Sequence, residues 1–359
     1  MSTIRVLHVI ARMNVGGTAR YVSELVENIP SSALATGYVQ GAEIEDSTVE
    51  SLPMYRLSHM GRKISLLNDF QAWLELRKLV KELKPQIIHT HTFKAGLIGR
   101  LVGGEHRLVH TFHGHLFGDQ SFSPTARGMI TRVERFLANR TDLLVSVGEK
   151  VGVELRAAGI GLNKKWVSIP PGVNSLVTID KAEARRKLGL DHDGILFGWM
   201  ARMVEVKNPL LLLQVAKRLP HVNFVMAGGG TLLSKVVTTA SSNVAVIGWA
   251  DAAIFWSAVN CAISTSDNEG MPIALIEAQL AGLPVIATDV GSNSEVISHG
   301  STGLVVNRDV DSLVRAVNEV IQMGTRRVDM GHASKKWAEQ QFSIARLLQD
   351  HESNYAALL

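Results

Sequence analysis

The sequence predicts an α/β protein of two domains, each built on a parallel β-sheet with helices on both faces. The chain has 359 residues, which is too long for one ordinary hydrophobic core and fits two domains of about 170 residues. Short apolar runs alternate with amphipathic helical patterns, and such alternation is typical of parallel sheets. The pattern starts again after a turn-rich stretch, so we place one domain at 1–170 and a second at 171–340.

In the first half, a β-type run from Ile4 to Ile10 leads into Gly16-Gly17 and a helix with an apolar stripe. A glycine pair between strand and helix lets backbone approach a ligand at the mouth of a parallel sheet, although many such turns are merely tight. A long helical pattern covers 69–84. Further β-type runs lie at 36–40, 54–57, 86–90, 108–112, 143–147 and 167–169.

The second half repeats this order after Pro170-Pro171-Gly172, which we interpret as the linker. Two halves built in the same way predict two Rossmann-like domains that face each other across a central cleft. A last helical stretch, about 341–359, is expected to pack back onto the first domain. The β-type runs of the second half lie at 195–200, 222–227, 244–247, 261–265, 285–288 and 304–306.

Composition indicates a globular protein, with 46% apolar and 19% charged residues. The single cysteine, Cys261, lies in a predicted buried strand, which excludes a disulfide framework and a cysteine metal site and fits a reducing cytoplasm. The apolar run at 6–11 is short and flanked by Arg5 and Arg12, so we do not expect a secretory signal. No apolar run approaches the roughly 20 residues of a membrane span.

Charge is divided unevenly between the two halves. Residues 1–170 carry 21 Lys and Arg against 15 Asp and Glu, and the remainder carries 16 against 18. A basic first half fits peripheral contact with an anionic membrane or a phosphorylated acceptor. Scattered, solvated charge explains it equally well. Nucleic acid is not an expected partner.

Residues 260–290 contain two glutamates of particular interest in a strand, loop, helix, strand pattern. Glu269 lies on the loop, and Glu277 on the helix expected to start at Met271-Pro272. At helical spacing Glu277 shares a face with Ile273, and an unpaired charge on an apolar face costs several kcal/mol, so its carboxylate needs a partner. From the residues alone, an acid at a helix start for Glu269 and a structural salt bridge for Glu277 are as good an interpretation as a functional role.

Three further loops follow predicted strands of the second half. Arg202 and Lys207 precede a helix that opens near Asn208-Pro209, and two cations at a helix N-terminus suit a diphosphate without a metal ion. Solvated loop charge is the alternative. Gly229 lies in a glycine triplet after the next strand. Trp249 follows the strand after that, where its ring is suited either to packing or to carrying a nucleobase.

The first half contains five histidines within a short span, at positions 89, 91, 110, 113 and 115. A metal site is disfavoured because no acidic or cysteine ligand is spaced with them. His113 differs from the others, since it follows a strand end beside Gly114, from where a side chain reaches a cleft. Asp191-His192-Asp193 precedes its strand and is interpreted as a solvated turn. We therefore expect no metal.

Taken in order, these features resemble the family-four glycosyltransferases, which have the GT-B fold and transfer a sugar from a nucleotide donor with retention of configuration. The resemblance covers nearly the whole chain. HTHTFKAG and HTFHGH further resemble a bacterial subgroup of surface-polysaccharide and lipopolysaccharide assembly. The motifs that carry the family resemblance are Gly16-Gly17, Thr111-Phe112-His113-Gly114, Arg202 with Lys207, and Glu269 with Glu277 followed by GLPVIATDVGSNSEVI.

The resemblance implies a role for each matched residue. Gly16 and Gly17 would lie against the donor phosphates, and His113 would bond the transferred sugar. Arg202 and Lys207 would bind the diphosphate and stabilise it as the leaving group. Glu269 would bind sugar hydroxyls, and Glu277 would bind the ribose. The backbone N–H groups at Gly270, Met271 and Ile273 would contact the phosphates.

The sequence departs from the family where Met271-Pro272-Ile273 replaces Phe-Gly-Leu or a similar triplet, because Pro272 removes one N–H donor. The function implied is that of a hexosyltransferase, without metal or cofactor, which moves a sugar from a donor expected to be a UDP-sugar to a glycan or lipid-linked acceptor. The expected location is the cytoplasm, with the inner face of the membrane as a second site. Acceptor selection is expected at 116–124 and at Arg127, Arg132 and Arg135.

Two other functions stay open from the sequence. One is a nucleotide-sugar epimerase of the same GT-B shape, and the other is a non-catalytic sugar-nucleotide-binding subunit of a polysaccharide assembly complex. A nicotinamide dehydrogenase is disfavoured, because the G-x-G-x-x-G fingerprint is missing.

Overall fold

The computed structural model describes residues 5–41, 43–61, 64–114, 123–190 and 193–359. Predictions for His115, for most of the loop at 116–124 and for Asp191-His192 lie outside these residues. The chain divides into two compact units. One comprises Met1–Gly172 together with Ile344–Leu359, and the other comprises Val173–Ser343.

A seven-stranded parallel sheet forms the centre of the first unit, as the alternating pattern predicts. The strand order is β3-β2-β1-β4-β5-β6-β7, so the connections reverse direction between β1 and β4. Open α/β sheets bind ligands outside the carboxyl ends of their strands at such a switch point. The strands are β1 (Val6–Ile10), β2 (Ser32–Thr36), β3 (Met54–Arg56), β4 (Ile87–His91), β5 (Arg107–Phe112), β6 (Leu143–Ser146) and β7 (Lys165–Ser168).

Helices cover both faces of this sheet, because successive strand residues point to opposite sides. In β1, Leu7 and Val9 pack in one core with the residues of α2 and α3, while Ile10 packs in another with α1. His8 therefore shares the face of Ile10. The helices are α1 (Gly17–Asn28), α2 (Leu66–Leu83), α3 (Phe93–Gly99), α4 (Pro124–Asn139) and α5 (Glu149–Ala157).

The strand predicted at 36–40 is wrong by four residues, since β2 is Ser32–Thr36. Its sequence, SALAT, consists of small side chains that give little apolar signal, yet all of them are buried. Gly37 follows the strand in a crowded turn, where a Cβ atom would lie 1.9 Å from the carbonyl oxygen of Met60. The chain therefore leaves the sheet before the more apolar residues that suggested the later strand.

The second unit contains a six-stranded parallel sheet in the order β10-β9-β8-β11-β12-β13, with its switch point between β8 and β11. Its strands are β8 (Leu196–Met200), β9 (Asn223–Ala227), β10 (Val244–Gly248), β11 (Cys261–Ser264), β12 (Val285–Thr288) and β13 (Gly303–Val306). Its helices are α6 (Lys181–Lys187), α7 (Pro209–Arg218), α8 (Leu233–Thr239), α9 (Ala252–Ala258), α10 (Ile273–Leu280), α11 (Asn293–Val296), α12 (Val310–Gln322) and α13 (Arg326–Gln341).

The final helical stretch of the sequence is divided between the two units. Helix α13 ends before Phe342, whose ring is buried in the core of the second unit. A last helix, α14 (Ile344–Ala356), belongs to the first unit. There Arg346 donates to the carbonyl oxygen of Pro170 at 2.6 Å, and the hydroxyl of Tyr355 lies 2.6 Å from Nδ1 of His89. Within the residues described, no helix combines the length and apolarity that crossing a membrane requires.

Candidate functional site

The first unit presents the glycine turn directly after β1, beside the switch point of its sheet. Gly16 precedes α1 with φ 150° and ψ 179°, a conformation that is nearly confined to glycine. Gly17 is the first residue of the helix. The turn therefore exposes backbone rather than side chains at the sheet edge, and its N–H groups belong to the positive end of α1.

His113 follows the end of β5 in the same unit and is partly buried. Its Nε2 atom lies 3.1 Å from Nδ1 of His91, and its ring meets that of Tyr21 edge-on at 4.9 Å. Burial lowers the pKa of His113 to about 3, so the ring is neutral at pH 7. A neutral imidazole offers one hydrogen-bond donor and one acceptor, which suits contact with a hydroxyl group.

The histidines form a larger group than the sequence indicated, because His8 in β1 joins them. His8, His89 and His91 are buried, and one nitrogen of each lies within 4.8 Å of the others. Both nitrogens of His89 already have partners, with Tyr355 at 2.6 Å and Thr111 at 2.6 Å. A metal ligand needs a free nitrogen lone pair, so His89 could bind a metal ion only by giving up one of these two hydrogen bonds.

In the second unit, loops after three adjacent strands are joined at the carboxyl edge of the sheet. The loop after β8 contains Arg202 and a 3₁₀ turn, Glu205–Lys207. It bonds to the loop after β9 through Met203 N and Gly229 O at 2.8 Å, and to the loop after β11 through Asp267 N and Val206 O at 2.8 Å. Residues distant in sequence are thus held at one switch point.

The glycine triplet after β9 fixes the position of the Arg202 loop. A Cβ atom at Gly228 would lie 2.0 Å from the carbonyl oxygen of Ala201, and one at Gly230 would lie 2.5 Å from that of Met203. Both glycines also have positive φ angles. Only glycine permits this approach of two backbones, so the triplet places Arg202.

Lys207 and Glu269 form an ion pair, which their positions in the sequence do not predict. The ammonium group donates to both carboxylate oxygens at 2.6 Å, and the Ser266 hydroxyl donates to Oε1 at 2.7 Å. The Glu269 side chain is only 8% exposed, whereas that of Lys207 is 21% exposed. The carboxylate is therefore neutralised and held in place, while the ammonium group remains accessible to a ligand.

Neighbouring hydrogen bonds make this pair rigid. Asn208 caps α7 through Leu211 N at 3.2 Å, and its amide also donates to Asp267 at 2.9 Å. The Thr265 hydroxyl donates to the carbonyl oxygen of Asn208 at 2.9 Å. The polar residues between Cys261 and Glu269 therefore tie β11 to the start of α7, a structural role that their positions in the sequence did not suggest.

Arg202 differs from Lys207, because its side chain is exposed and its guanidinium makes no hydrogen bond or ion pair to the residues that the structure describes. A guanidinium group has five N–H donors in a planar fork that matches phosphate oxygens. The loop thus presents one paired cation and one that remains available.

The indole of Trp249 covers Gly229. A Cβ atom at Gly229 would lie 2.7 Å from Nε1 of Trp249, so any side chain there would displace the ring. The indole is nevertheless 61% exposed. An exposed ring supported from behind has a free face for stacking, which favours the nucleobase interpretation over core packing.

The loop after β11 continues into α10, which starts at Ile273 rather than at Met271 because Pro272 is extended, with φ −80° and ψ 94°. Gly270 and Met271 are partly exposed. Glu277 is only 4% exposed on α10, so it is not directed into solvent. Gly291 packs against the loop, where a Cβ atom would lie 1.8 Å from the carbonyl oxygen of Glu269.

Comparison with known proteins identifies the family. Residues 16–172 match the model described as "Glycosyl transferase 4-like domain", and residues 180–337 match "Glycosyl transferases group 1". Together the two matches span most of the chain. The protein belongs to the family-four glycosyltransferases.

Relatives of this glycosyltransferase match its sequence along most of their length. UDP-Gal:alpha-D-GlcNAc-diphosphoundecaprenol alpha-1,3-galactosyltransferase of Escherichia coli is 26% identical over 343 residues, covering 89% of this chain and 88% of that protein. The capsular polysaccharide biosynthesis glycosyltransferase CapM of Staphylococcus aureus is 24% identical and covers 84% of each chain.

Solved structures of similar fold support the GT-B architecture of this glycosyltransferase. Anabaena HepE, in complex with UDP and glucose, has a TM-score of 0.84 at 18% identity, with 99% of this chain and 100% of that chain covered. Sucrose-phosphate synthase of Thermosynechococcus elongatus has a TM-score of 0.84 at 19% identity, with 99% of each chain covered. The predicted fold class is confirmed.

Proposed function

We propose that this glycosyltransferase moves a hexose from a UDP-sugar to a lipid-linked glycan, with retention of configuration and without a metal ion. The observation that carries the proposal is the cationic loop after β8. It holds Lys207 against Glu269 at 2.6 Å and leaves Arg202 exposed at the switch point of the second sheet. One paired and one unpaired cation in this loop supply the charge that a departing diphosphate requires.

Within the second unit, different residues along the sheet edge are assigned to different parts of the nucleotide-sugar donor. Arg202 and Lys207 bind the diphosphate, assisted by backbone N–H groups at Gly270, Met271 and Ile273. Trp249 stacks on the base beside Gly229. The two carboxylates bind hydroxyl groups of the donor. Glu269 binds those of the transferred sugar, and Glu277 binds those of the ribose.

In the first unit, the assigned donor-binding residues are Gly16, Gly17 and His113. The glycines offer backbone N–H groups to the phosphates, and His113 bonds a sugar hydroxyl. In the reaction, the bond between the anomeric carbon and the diphosphate oxygen breaks as the acceptor oxygen attacks from the same face. The departing phosphate takes the acceptor's proton, so none of the chain's side chains needs to act as nucleophile.

Relatives support the choice of donor and acceptor. The Escherichia coli relative is named as a galactosyltransferase that acts on a diphosphoundecaprenol-linked sugar with UDP-Gal. HepE of Anabaena has been solved in complex with UDP and with UDP-glucose. A UDP-hexose and a polyprenyl-diphosphate-linked acceptor are therefore the substrates to test first.

The donor is tested by thermal unfolding of the purified protein with UDP-galactose, UDP-glucose, UDP-N-acetylglucosamine and GDP-mannose. A ligand in excess over its Kd raises stability, by about 2.7 kcal/mol at 100 times Kd. We expect a UDP-hexose to give the largest rise in Tm. A rise with GDP-mannose alone would contradict the assigned nucleotide.

Transfer to a diphosphate-lipid acceptor analogue is then followed by NMR of the product, with excess EDTA present. We expect an α-linked product from an α-linked donor, formed at an undiminished rate. A β-linked product contradicts retention, and a rate abolished by EDTA and restored by Mg²⁺ contradicts metal independence. Epimerised donor formed without acceptor would identify an epimerase instead.

An exposed face of α2 is suited to holding the enzyme at the membrane where a lipid-linked acceptor resides. Four apolar side chains lie on it, and we call them the apolar face: Leu66, Leu67, Phe70 and Leu74, exposed by 89%, 67%, 56% and 46%. Helical spacing continues this face into basic residues at 77, 78 and 81. Apolar side chains followed by cations are typical of helices that lie on anionic bilayers.

The acids in the first half of α2 do not oppose this contact, because they are engaged elsewhere. Asp69 forms an ion pair with Lys94 at 2.6 Å, and the Glu75 carboxylate lies 2.7 Å from Nδ1 of His59. Lys78 is paired with Glu82 at 3.9 Å, so Arg77 and Lys81 supply the positive charge that favours an anionic lipid surface. This is the peripheral contact that the basic first half of the sequence suggested.

Sedimentation with vesicles tests the apolar face. Replacing Leu66 and Phe70 together with serine is expected to weaken binding to vesicles rich in phosphatidylglycerol by about 2 kcal/mol or more, roughly thirtyfold. Val177, which is 82% exposed in the second unit, provides the matched control as Val177→Ser. Equal binding by the double variant, or equal binding to neutral phosphatidylcholine vesicles, would refute the assignment.

A further inference from the structure

Three histidine rings form a hydrogen-bonded chain that leads from the core of the first unit to the proposed sugar ligand His113. Nδ1 of His8 lies 3.1 Å from Nε2 of His91. Nδ1 of His91 in turn lies 3.1 Å from Nε2 of His113. The three residues come from β1, the end of β4 and the loop after β5, so the chain crosses the switch point of the sheet.

All three rings are neutral at pH 7. Burial lowers the pKa of His8 and that of His113 to about 3, and it lowers the pKa of His91 well below its ordinary value. A neutral imidazole has one N–H and one nitrogen lone pair. His91 therefore donates one of its two ring bonds and accepts the other. The two ring–ring hydrogen bonds must therefore have the same polarity. The N–H groups donate either outward, from His8 toward His113, or inward, from His113 toward His8.

The inner end of the chain favours the outward direction. Nε2 of His8 is buried and has no hydrogen-bond partner among the residues that the structure describes. An inward chain would place an N–H on this atom, whereas an outward chain leaves only a lone pair there. Buried N–H groups without an acceptor are rare in folded proteins, while acceptors with unused lone pairs are less so.

The outer end fits the same direction. Nδ1 of His113 is the ring atom that the row of hydrogen bonds leaves unused, and it makes no hydrogen bond to the residues that the structure describes. When the chain runs outward, Nε2 of His113 accepts from His91, and the proton of His113 must lie on Nδ1. Nδ1 of this partly exposed residue is then a hydrogen-bond donor.

We infer that His8 and His91 are positioning residues that hold His113 as the Nδ1–H tautomer, so that its ring donates a hydrogen bond to an oxygen of the donor sugar. The identity of that ligand rests on the proposed function, whereas the tautomer does not. Reversing it would require all three protons to move, so His113 keeps one role throughout turnover. His91 acts on the sugar only through His113.

NMR of the ligand-free protein, labelled with ¹⁵N in the histidine rings, tests the tautomer directly. Comparison with His113→Gln assigns the His113 signals. We expect the shift of a protonated nitrogen at Nδ1 and that of an unprotonated nitrogen at Nε2 at pH 7. A proton on Nε2, or an even mixture of tautomers, would overturn the inference. So would one equivalent of zinc bound through His91, because the metal would take the lone pair with which that ring accepts one of its two hydrogen bonds.

Two variants of His91 separate positioning from space filling. His91→Asn retains a side-chain N–H near the original Nδ1 position, and His91→Leu fills space without a donor. We expect His91→Asn to keep the Nδ1–H tautomer and turnover within about threefold. We expect His91→Leu to lose about tenfold or more in kcat, as is typical of supporting residues, with UDP affinity unchanged. Equal kcat in the two variants, at matched Tm, would overturn the positioning role. If neither variant nor the native chain transfers sugar, the proposed function fails while the tautomer result stands.

Discussion

Lys207→Ala is expected to weaken UDP binding by about 2–5 kcal/mol, which is roughly thirtyfold to several thousandfold. The substitution removes a cation from the diphosphate, and it also leaves the Glu269 carboxylate without the ammonium group that donates to both its oxygens at 2.6 Å. Because that carboxylate is only 8% exposed, its uncompensated charge repels the incoming diphosphate. Calorimetric titration with UDP measures the effect.

Arg202→Ala is the matched comparison, since it removes the second cation of the same loop. Its guanidinium is exposed and has no ion-pair partner among the described residues, so its loss is expected to weaken UDP binding without lowering Tm. Lys207→Ala should lower both the affinity for UDP and the Tm. Unchanged UDP affinity in both variants would contradict the assignment of this loop to the diphosphate.

The positions of most strands could be predicted, because buried parallel strands are apolar runs that end at glycine or polar loops. Val285–Thr288 was predicted without error, and most other strands lie within two residues of their predicted ends. The strand at Ser32–Thr36 was misplaced because its small side chains carry almost no hydrophobic signal, although the sheet buries all of them. Burial there is decided by β1 and β3 on either side, which are distant in sequence.

The sequence singles out Lys207 and Glu269 separately, but it does not predict that they pair. Lys207 and Glu269 are 62 residues apart and meet because β8 and β11 are neighbours at the switch point. An apolar pattern reveals strands and says nothing about their order. The sequence therefore assigned the two charges to different parts of a ligand, whereas the structure shows that each also holds the other.

The histidine chain was missed for a similar reason. His8 is one polar residue inside an apolar strand, and nothing nearby marks it as part of a group. Its register opposite β4 brings it to His89 and His91, and the same face receives His351 and Tyr355 from the other end of the sequence. Only the topology of the sheet and the return of α14 bring these rings together.

Glu269→Gln is expected to lower kcat by about a hundredfold while leaving UDP affinity unchanged or slightly higher. Glutamine keeps an oxygen for Lys207 but loses the charge that strengthens hydrogen bonds to the sugar hydroxyls, and a preorganised contact of this kind contributes about 10²–10³ to turnover. Removing a negative charge beside the diphosphate favours UDP, so its affinity should change in the direction opposite to that of Lys207→Ala.

Turnover and UDP titration on the same preparation separate the two roles of Glu269. Glu205→Gln is the control, because it removes an equal charge from an exposed side chain in the same cationic loop. It should leave both kcat and UDP affinity near their native values. If Glu269→Gln weakened UDP binding as much as it slowed turnover, the carboxylate would be acting on the nucleotide through Lys207, and its assignment to the sugar would be wrong.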